Sequence, residues 1–168
     1  SGSMNDNCPA GSNVDCSPSD INATPCKLSD ARNAARMFAD LLQDDRPSSA
    51  DEHRLGLVAF SNAAVTSVPL SPVASIVGDP INPNDSAFDT ALNNLTACGG
   101  TGIGRALQVA DSLISAGSNP HKAILLLTDG VENLTPLIAS VENSIGPEVI
   151  VCAIGYGTDW ADNEDALR

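Results

Sequence analysis

The stretch that most constrains the fold is "KAILLLTDG", residues 122–130. Five apolar residues, Ala123 to Leu127, follow one another without a polar interruption. A strand with one wet face alternates apolar and polar side chains, whereas a continuous run is what a parallel strand covered on both faces requires. "EVIVCAIGYG" (148–157) reads the same way. Parallel neighbours need a long crossover, and "LTPLIASVENSI" (134–145) between them predicts its helix, with Pro136 tolerated in the first turn.

The preceding segments extend this pattern. "KLSDARNAARMFADLLQ" predicts an amphipathic helix with Leu28, Ala31, Ala34, Ala35, Phe38, Leu41 and Leu42 on one stripe, capped by Ser29 or Asp30. "RLGLVAFS" (54–61) and "AVTSVPL" (64–70) predict two strands whose connection is too short for a parallel crossover. They should form an antiparallel hairpin, with Pro69 at an edge. Residues 71–85 read as irregular loop. "SAFDTALNNLTA" predicts a helix with Phe88, Leu92 and Leu95 inward. After "CGGTG", "IGRALQVADSLISA" predicts another, with Ile103, Ala106, Leu107, Ala110, Leu113 and Ile114 on its stripe. The order helix, hairpin, helices, strand, helix, strand implies an α/β domain. The expectation is a three-layer, doubly wound, Rossmann-like sheet that is mainly parallel, with one antiparallel edge strand. No second domain and no internal repeat is visible.

Composition narrows the partners. The 168 residues, 42% hydrophobic, suffice for one cored domain, and 21 acids against 8 bases give a net charge of −13. Such a surface repels phosphate backbones, so nucleic acid is not an expected partner. No apolar run approaches the ~18 residues of a membrane helix. Cys8, Cys16 and Cys26 lie in a long polar stretch with little to bury, and disulfides would tie it down in an oxidising compartment. An extracellular, surface or periplasmic setting is therefore expected. Cys152 lies within an apolar run and is expected to be a buried, unpaired thiol. Cys8, Cys16, Cys26 and Cys98 could form two bridges, and the sequence leaves their connectivity open.

Chemistry is expected beyond the carboxyl ends of the strands, where open α/β sheets bind ligands. "LLLTDG" places Thr128, Asp129 and Gly130 at such an end. "CGGTGIG" sets Thr101 among Gly99, Gly100, Gly102 and Gly104, whose backbone admits close approach. This is no dinucleotide fingerprint: the last required glycine is Arg105, and the segment follows a helix instead of a strand. No G-x-S-x-G occurs. His53 and His121 precede strands and so belong at the other end of the sheet, which argues against a hydrolytic triad.

In this order "SGSM", "KLSDARNAARMFADLL", "LGLVAFS", "GGTGIGRAL", "KAILLLTDGVEN" and "VIVCAIGYGT" resemble a von Willebrand factor type A domain over nearly the whole chain. The resemblance implies a metal-ion-dependent adhesion site, written D-x-S-x-S, then Thr, then Asp. Its serines fall on Ser1 and Ser3 around Gly2, its threonine on Thr101 and its later aspartate on Asp129. These hard oxygen donors suit one Mg²⁺, Mn²⁺ or Ca²⁺. The implied partner is a protein that offers an Asp or Glu carboxylate to the cation. The implied function is adhesion or protein binding, with no bond made or broken. The rival within the family is a structural or assembly module that uses no metal.

The family pattern also implies that the first aspartate and its strand precede Ser1, and that a strand and closing helix follow Arg168. With the strand order 3-2-1-4-5-6, "RLGLVAFS" and "KAILLLT" would flank the strand outside the chain. Residues 1–168 are thus expected to be one partial domain of a longer reading frame, folding poorly and binding metal weakly alone. Residues 5–26 would be a cysteine-bearing insertion on the face of the site, with one of its cysteines bridging Cys98.

Overall fold

The computed structural model describes residues 27–45, 52–77, 86–97, 99–129 and 132–155. Ser1, Gly2, Ser3, Gly130, Cys8, Cys16, Cys26 and Cys98 lie outside these residues, and with them the expected disulfides and two of the expected ligands.

Helix α1 spans Lys27–Asp44. Ser29 and Asp30 therefore stand inside its first turn and not at the cap, where the negative charge of Asp30 still favours the positive helix end. The buried stripe is rotated from the expected one. Ala31 and Ala39 are buried and Ala35 and Leu42 pack beside the core, while Phe38 and Leu41 are 37% and 64% exposed. The cause is polar. The Arg36 guanidinium donates to Asp89 Oδ1 (2.8 Å) and Asn93 Oδ1 (2.6 Å), and Arg32 donates to the Leu95 carbonyl (2.5 Å). Those bonds turn the face carrying Arg32, Ala35, Arg36 and Ala39 toward the next helices.

Strands β1 (Arg54–Phe60) and β2 (Ala64–Pro72) form the expected antiparallel hairpin. The register jumps between Leu55↔Ser71 and Leu57↔Val68, so Pro69 falls in the irregularity, where its missing N–H interrupts no ladder. Residues 71–77 are more ordered than expected. β2 runs to Pro72, and the short helix α2 (Val73–Ile76) buries Val73 and Ile76. Helix α3 (Ala87–Asn93) begins at Ser86, whose Oγ accepts from the Asp89 N–H at 2.9 Å and donates to the Asp89 carboxylate. Leu95 lies beyond the helix but packs on the core as expected.

Helix α4 (Ile103–Ser115) carries Ile103 and Leu107 into a core with Ile124 and Leu126 of β3 (Lys122–Thr128) and Val141. Phe60 of β1 packs against the same cluster, so α4 covers parts of both strand pairs. A second cluster joins Ala39, Val68, Val73, Ile76, Val77, Phe88 and Leu92. Each fully buried Leu or Phe contributes about 1.5–3 kcal/mol.

The crossover is shorter than "LTPLIASVENSI" suggested: α5 covers only Ile138–Val141, with a 3₁₀ turn at Glu142–Ser144. Pro136 precedes the helix instead of opening it, because the Glu132 carboxylate fixes the start by accepting from the Ile138 N–H at 2.6 Å. β4 (Val149–Gly155) then pairs with β3 in parallel, from Lys122↔Val149 to Thr128↔Gly155. The described strands form two two-stranded sheets, one antiparallel and one parallel. β1 and β3 bond outward to β2 and β4 and not to each other. Cys152 is exposed, contrary to expectation. The face of β4 that carries it, with Ile150 and Ile154, points away from the α4–α5 core.

Candidate functional site

The apolar run of β3 delivers Thr128 and Asp129 to its carboxyl end, and both are fully buried. Thr101, in the loop between α3 and α4, is 2% exposed. Two hydrogen bonds tie the Thr101 loop to the segment that follows Asp129. The Asn133 N–H donates to the Thr101 carbonyl at 3.1 Å. The Thr101 N–H donates to Asn133 Oδ1 at 2.7 Å. Thr101 is thereby fastened to the exit loop of β3, four residues beyond Asp129.

The turn between β1 and β2 supplies the other anchor. The Gly100 N–H donates to Asn62 Oδ1 at 2.5 Å, and the Gly102 N–H donates to the Ser61 carbonyl at 3.1 Å. Gly99 takes φ +88°, in the left-handed region open to glycine. An added Cβ there would meet the Asn62 side chain at 3.0 Å. Beyond the loop, the Gly104 N–H in the first turn of α4 donates to Glu132 Oε1 at 2.6 Å. Both oxygens of Glu132 thus serve helix starts, α4 through Gly104 and α5 through Ile138, where the helix dipole favours negative charge. Arg105 closes the ring, donating to the carbonyls of Asn62 (2.9 Å) and Thr135 (3.1 Å).

The structure therefore brings together Thr101, Gly99, Gly100 and Gly102 with the segment that follows Asp129. Ser1, Gly2, Ser3 and Gly130 are outside the described residues, as are Cys8, Cys16, Cys26 and Cys98. His53 and His121 directly precede β1 and β3, at the strand ends opposite Asp129. Four residues that shape the site were not singled out from sequence for this role: Asn62, Arg105, Glu132 and Asn133. The signal available was position, since Asn62, Glu132 and Asn133 all follow the carboxyl ends of strands. Arg105 stands where a dinucleotide fingerprint would carry its last glycine.

The donor set accords with a hard cation: the described candidates are a hydroxyl and a carboxylate, both oxygen ligands. Among the described residues no group of three or more His, Cys, Asp or Glu side chains gathers. No helix among the described residues is long and apolar enough to cross a membrane.

Comparison with curated protein sequences gives no match. Solved structures are similar in fold. A von Willebrand factor type A protein from Catenulispora acidiphila shares 26% identity at TM-score 0.60, over 79% of this chain and 29% of that one. The conserved hypothetical protein BatB from Bacteroides thetaiotaomicron shares 20% at TM-score 0.57, over 80% and 58%. An aerotolerance-related membrane protein from Bacteroides fragilis shares 22% at TM-score 0.56, over 81% and 60%. This chain thus spans less than two thirds of each of those chains. Residues 1–132 match the von Willebrand factor type A domain family. The hairpin, the glycine loop around Thr101 and the Thr128–Asp129 strand end all lie within that match, and the chain belongs to the von Willebrand factor type A domain family.

Proposed function

We propose that this domain is a divalent-cation-dependent protein-binding module, acting in adhesion at a surface or in another oxidising compartment. In this reading Ser1, Ser3, Thr101 and Asp129 hold one Mg²⁺, or Mn²⁺ or Ca²⁺ in its place. When bound, the cation supplies a Lewis-acidic contact for an Asp or Glu carboxylate of the partner protein. The chain's own residues present oxygen donors, exclude water around Thr128 and Asp129, and keep negative charge low so that the partner carboxylate is attracted. Glu132 is consistent with this: its oxygens are committed to two helix starts and not offered to a ligand. The location rests on the cysteine pattern of residues 8–26.

The observation that carries the reading is the burial of Asp129 and Thr101, hard oxygen donors in two loops that Asn133 joins. Titration of the chain with Mn²⁺, monitored by calorimetry, is the test, with Asp129→Ala and Thr101→Ala alongside. Saturable binding that both substitutions weaken supports it. Binding that ignores Asp129→Ala, or no binding at all, replaces it with the metal-independent assembly module.

A further inference from the structure

We propose that Asn62, Glu132 and Asn133 are positioning residues for Thr101, setting where its hydroxyl stands relative to Asp129. The proposal rests on the reading of Thr101 and Asp129 as metal ligands. The loop 99–102 leads into α4 and has no ladder of its own, so its N–H groups need outside acceptors. They find them on two other segments. Gly100 donates to Asn62 Oδ1, Thr101 to Asn133 Oδ1, Gly102 to the Ser61 carbonyl, and Gly104 to Glu132 Oε1.

The glycines fit the same account. A Cβ on Gly100 would lie 2.6 Å from Leu134 Cδ1 and 2.9 Å from Asn133 Oδ1. The loop is moulded around the two asparagines, and Thr101 is the one residue between Gly99 and Gly102 with a side chain to offer.

The chemistry of the three side-chain acceptors also differs in a useful way. An amide oxygen accepts an N–H without adding charge beside the Asp129 carboxylate. A carboxylate does add charge, and both oxygens of the one used, Glu132, are engaged by N–H groups at two helix starts. The arrangement satisfies the N–H groups of the loop, and the Glu132 oxygens that take part are engaged at helix starts. Residues that orient metal ligands without touching the metal commonly govern affinity as strongly as tenfold or more.

The test uses the full chain and Mn²⁺ alone, with Asn133→Ala, Asn62→Ala and the conservative Asn133→Asp, and folding checked by circular dichroism. The expected result is Mn²⁺ affinity weaker by roughly 10–100-fold in the alanine variants. Faster amide exchange at Gly100 or Thr101 should accompany it. Asn133→Asp, which keeps the acceptor, should bind at least as tightly as the wild type. Asn62 sits in an exposed turn, so Asn62→Ala carries the test if Asn133→Ala does not fold. A folded alanine variant that binds Mn²⁺ like the wild type overturns the positioning role alone. A wild type that binds no Mn²⁺ overturns the metal reading, and this inference with it.

Discussion

Thr101 and Asn133 exchange two hydrogen bonds: Thr101 donates its N–H to Asn133 Oδ1 at 2.7 Å and accepts the Asn133 N–H on its carbonyl at 3.1 Å. One of the two is lost with the side chain. Asn133→Ala should leave the N–H of a nearly fully buried residue without its acceptor, at a cost of about 1–3 kcal/mol. Asn133→Asp should recover most of that. Denaturant unfolding of the three proteins checks the order, and equal midpoints for Ala and wild type would show that the pair contributes nothing.

Glu132 serves two helices with one carboxylate. Its bonds to Gly104 and Ile138 are both 2.6 Å, and each resembles a capping interaction of about 0.5–2 kcal/mol. Glu132→Ala loses both. Glu132→Gln keeps a single acceptor oxygen, so its loss of stability should fall between wild type and Ala. The measurement is again the unfolding midpoint, and Gln as costly as Ala would refute the two-ended role.

Gly104 permits the close crossing of α4 against the segment before α5. An added Cβ would stand 2.2 Å from the Pro136 carbonyl oxygen, which is backbone and cannot swing aside. Gly104→Ala should therefore destabilise by about 1–3 kcal/mol despite its better helix propensity. Thermal unfolding reads the sign directly.

Much of this was legible because local pattern and tertiary context agree. "KAILLLT" gave β3 to the residue, and the short link after Phe60 implied the β1–β2 hairpin. "GGTGIG" and "TDG" marked the loops that converge. The failures share a cause, which is polar contact at a distance in sequence. Nothing near Phe38 says that Arg36 will reach Asp89, 53 residues away, and turn α1. Nothing near Pro136 says that Glu132 will cap α5 at Ile138. Asn62 and Gly100 are 38 residues apart, and their bond belongs to the folded loops alone. The exposure of Cys152 likewise follows from which face of β4 the helices cover, and an apolar run carries no mark of that.

The α1–α3 junction is an ion pair as much as an apolar contact. Arg36 Nε lies 2.8 Å from Asp89 Oδ1, with Asp89 at 8% side-chain exposure. Asp89 also receives the Ser86 hydroxyl, so the carboxylate is satisfied from two sides. Hydrogen bonds to charged groups of this kind contribute about 1.5–3 kcal/mol. A double-mutant cycle on Arg36→Ala and Asp89→Ala should show coupling, since each partner loses its bond when the other is removed. Additive losses would mean that the Arg36–Asp89 pair contributes no coupling to the junction.

The rotation of α1 makes one more contrast sharp, because two leucines of the same expected character have opposite surroundings. Leu92 of α3 is 1% exposed within the cluster around Val68 and Phe88, whereas Leu41 of α1 is 64% exposed. Truncation of the first removes buried methyls and leaves a cavity, a cost of about 2–5 kcal/mol for Leu92→Ala. Truncation of the second removes side chain already in water, so Leu41→Ala should change stability by no more than about 0.5 kcal/mol. If Leu41→Ala proved as damaging as Leu92→Ala, the face of α1 carrying Met37, Phe38 and Leu41 would have to be buried in solution. The polar docking by Arg32 and Arg36 could then not be what orients the helix.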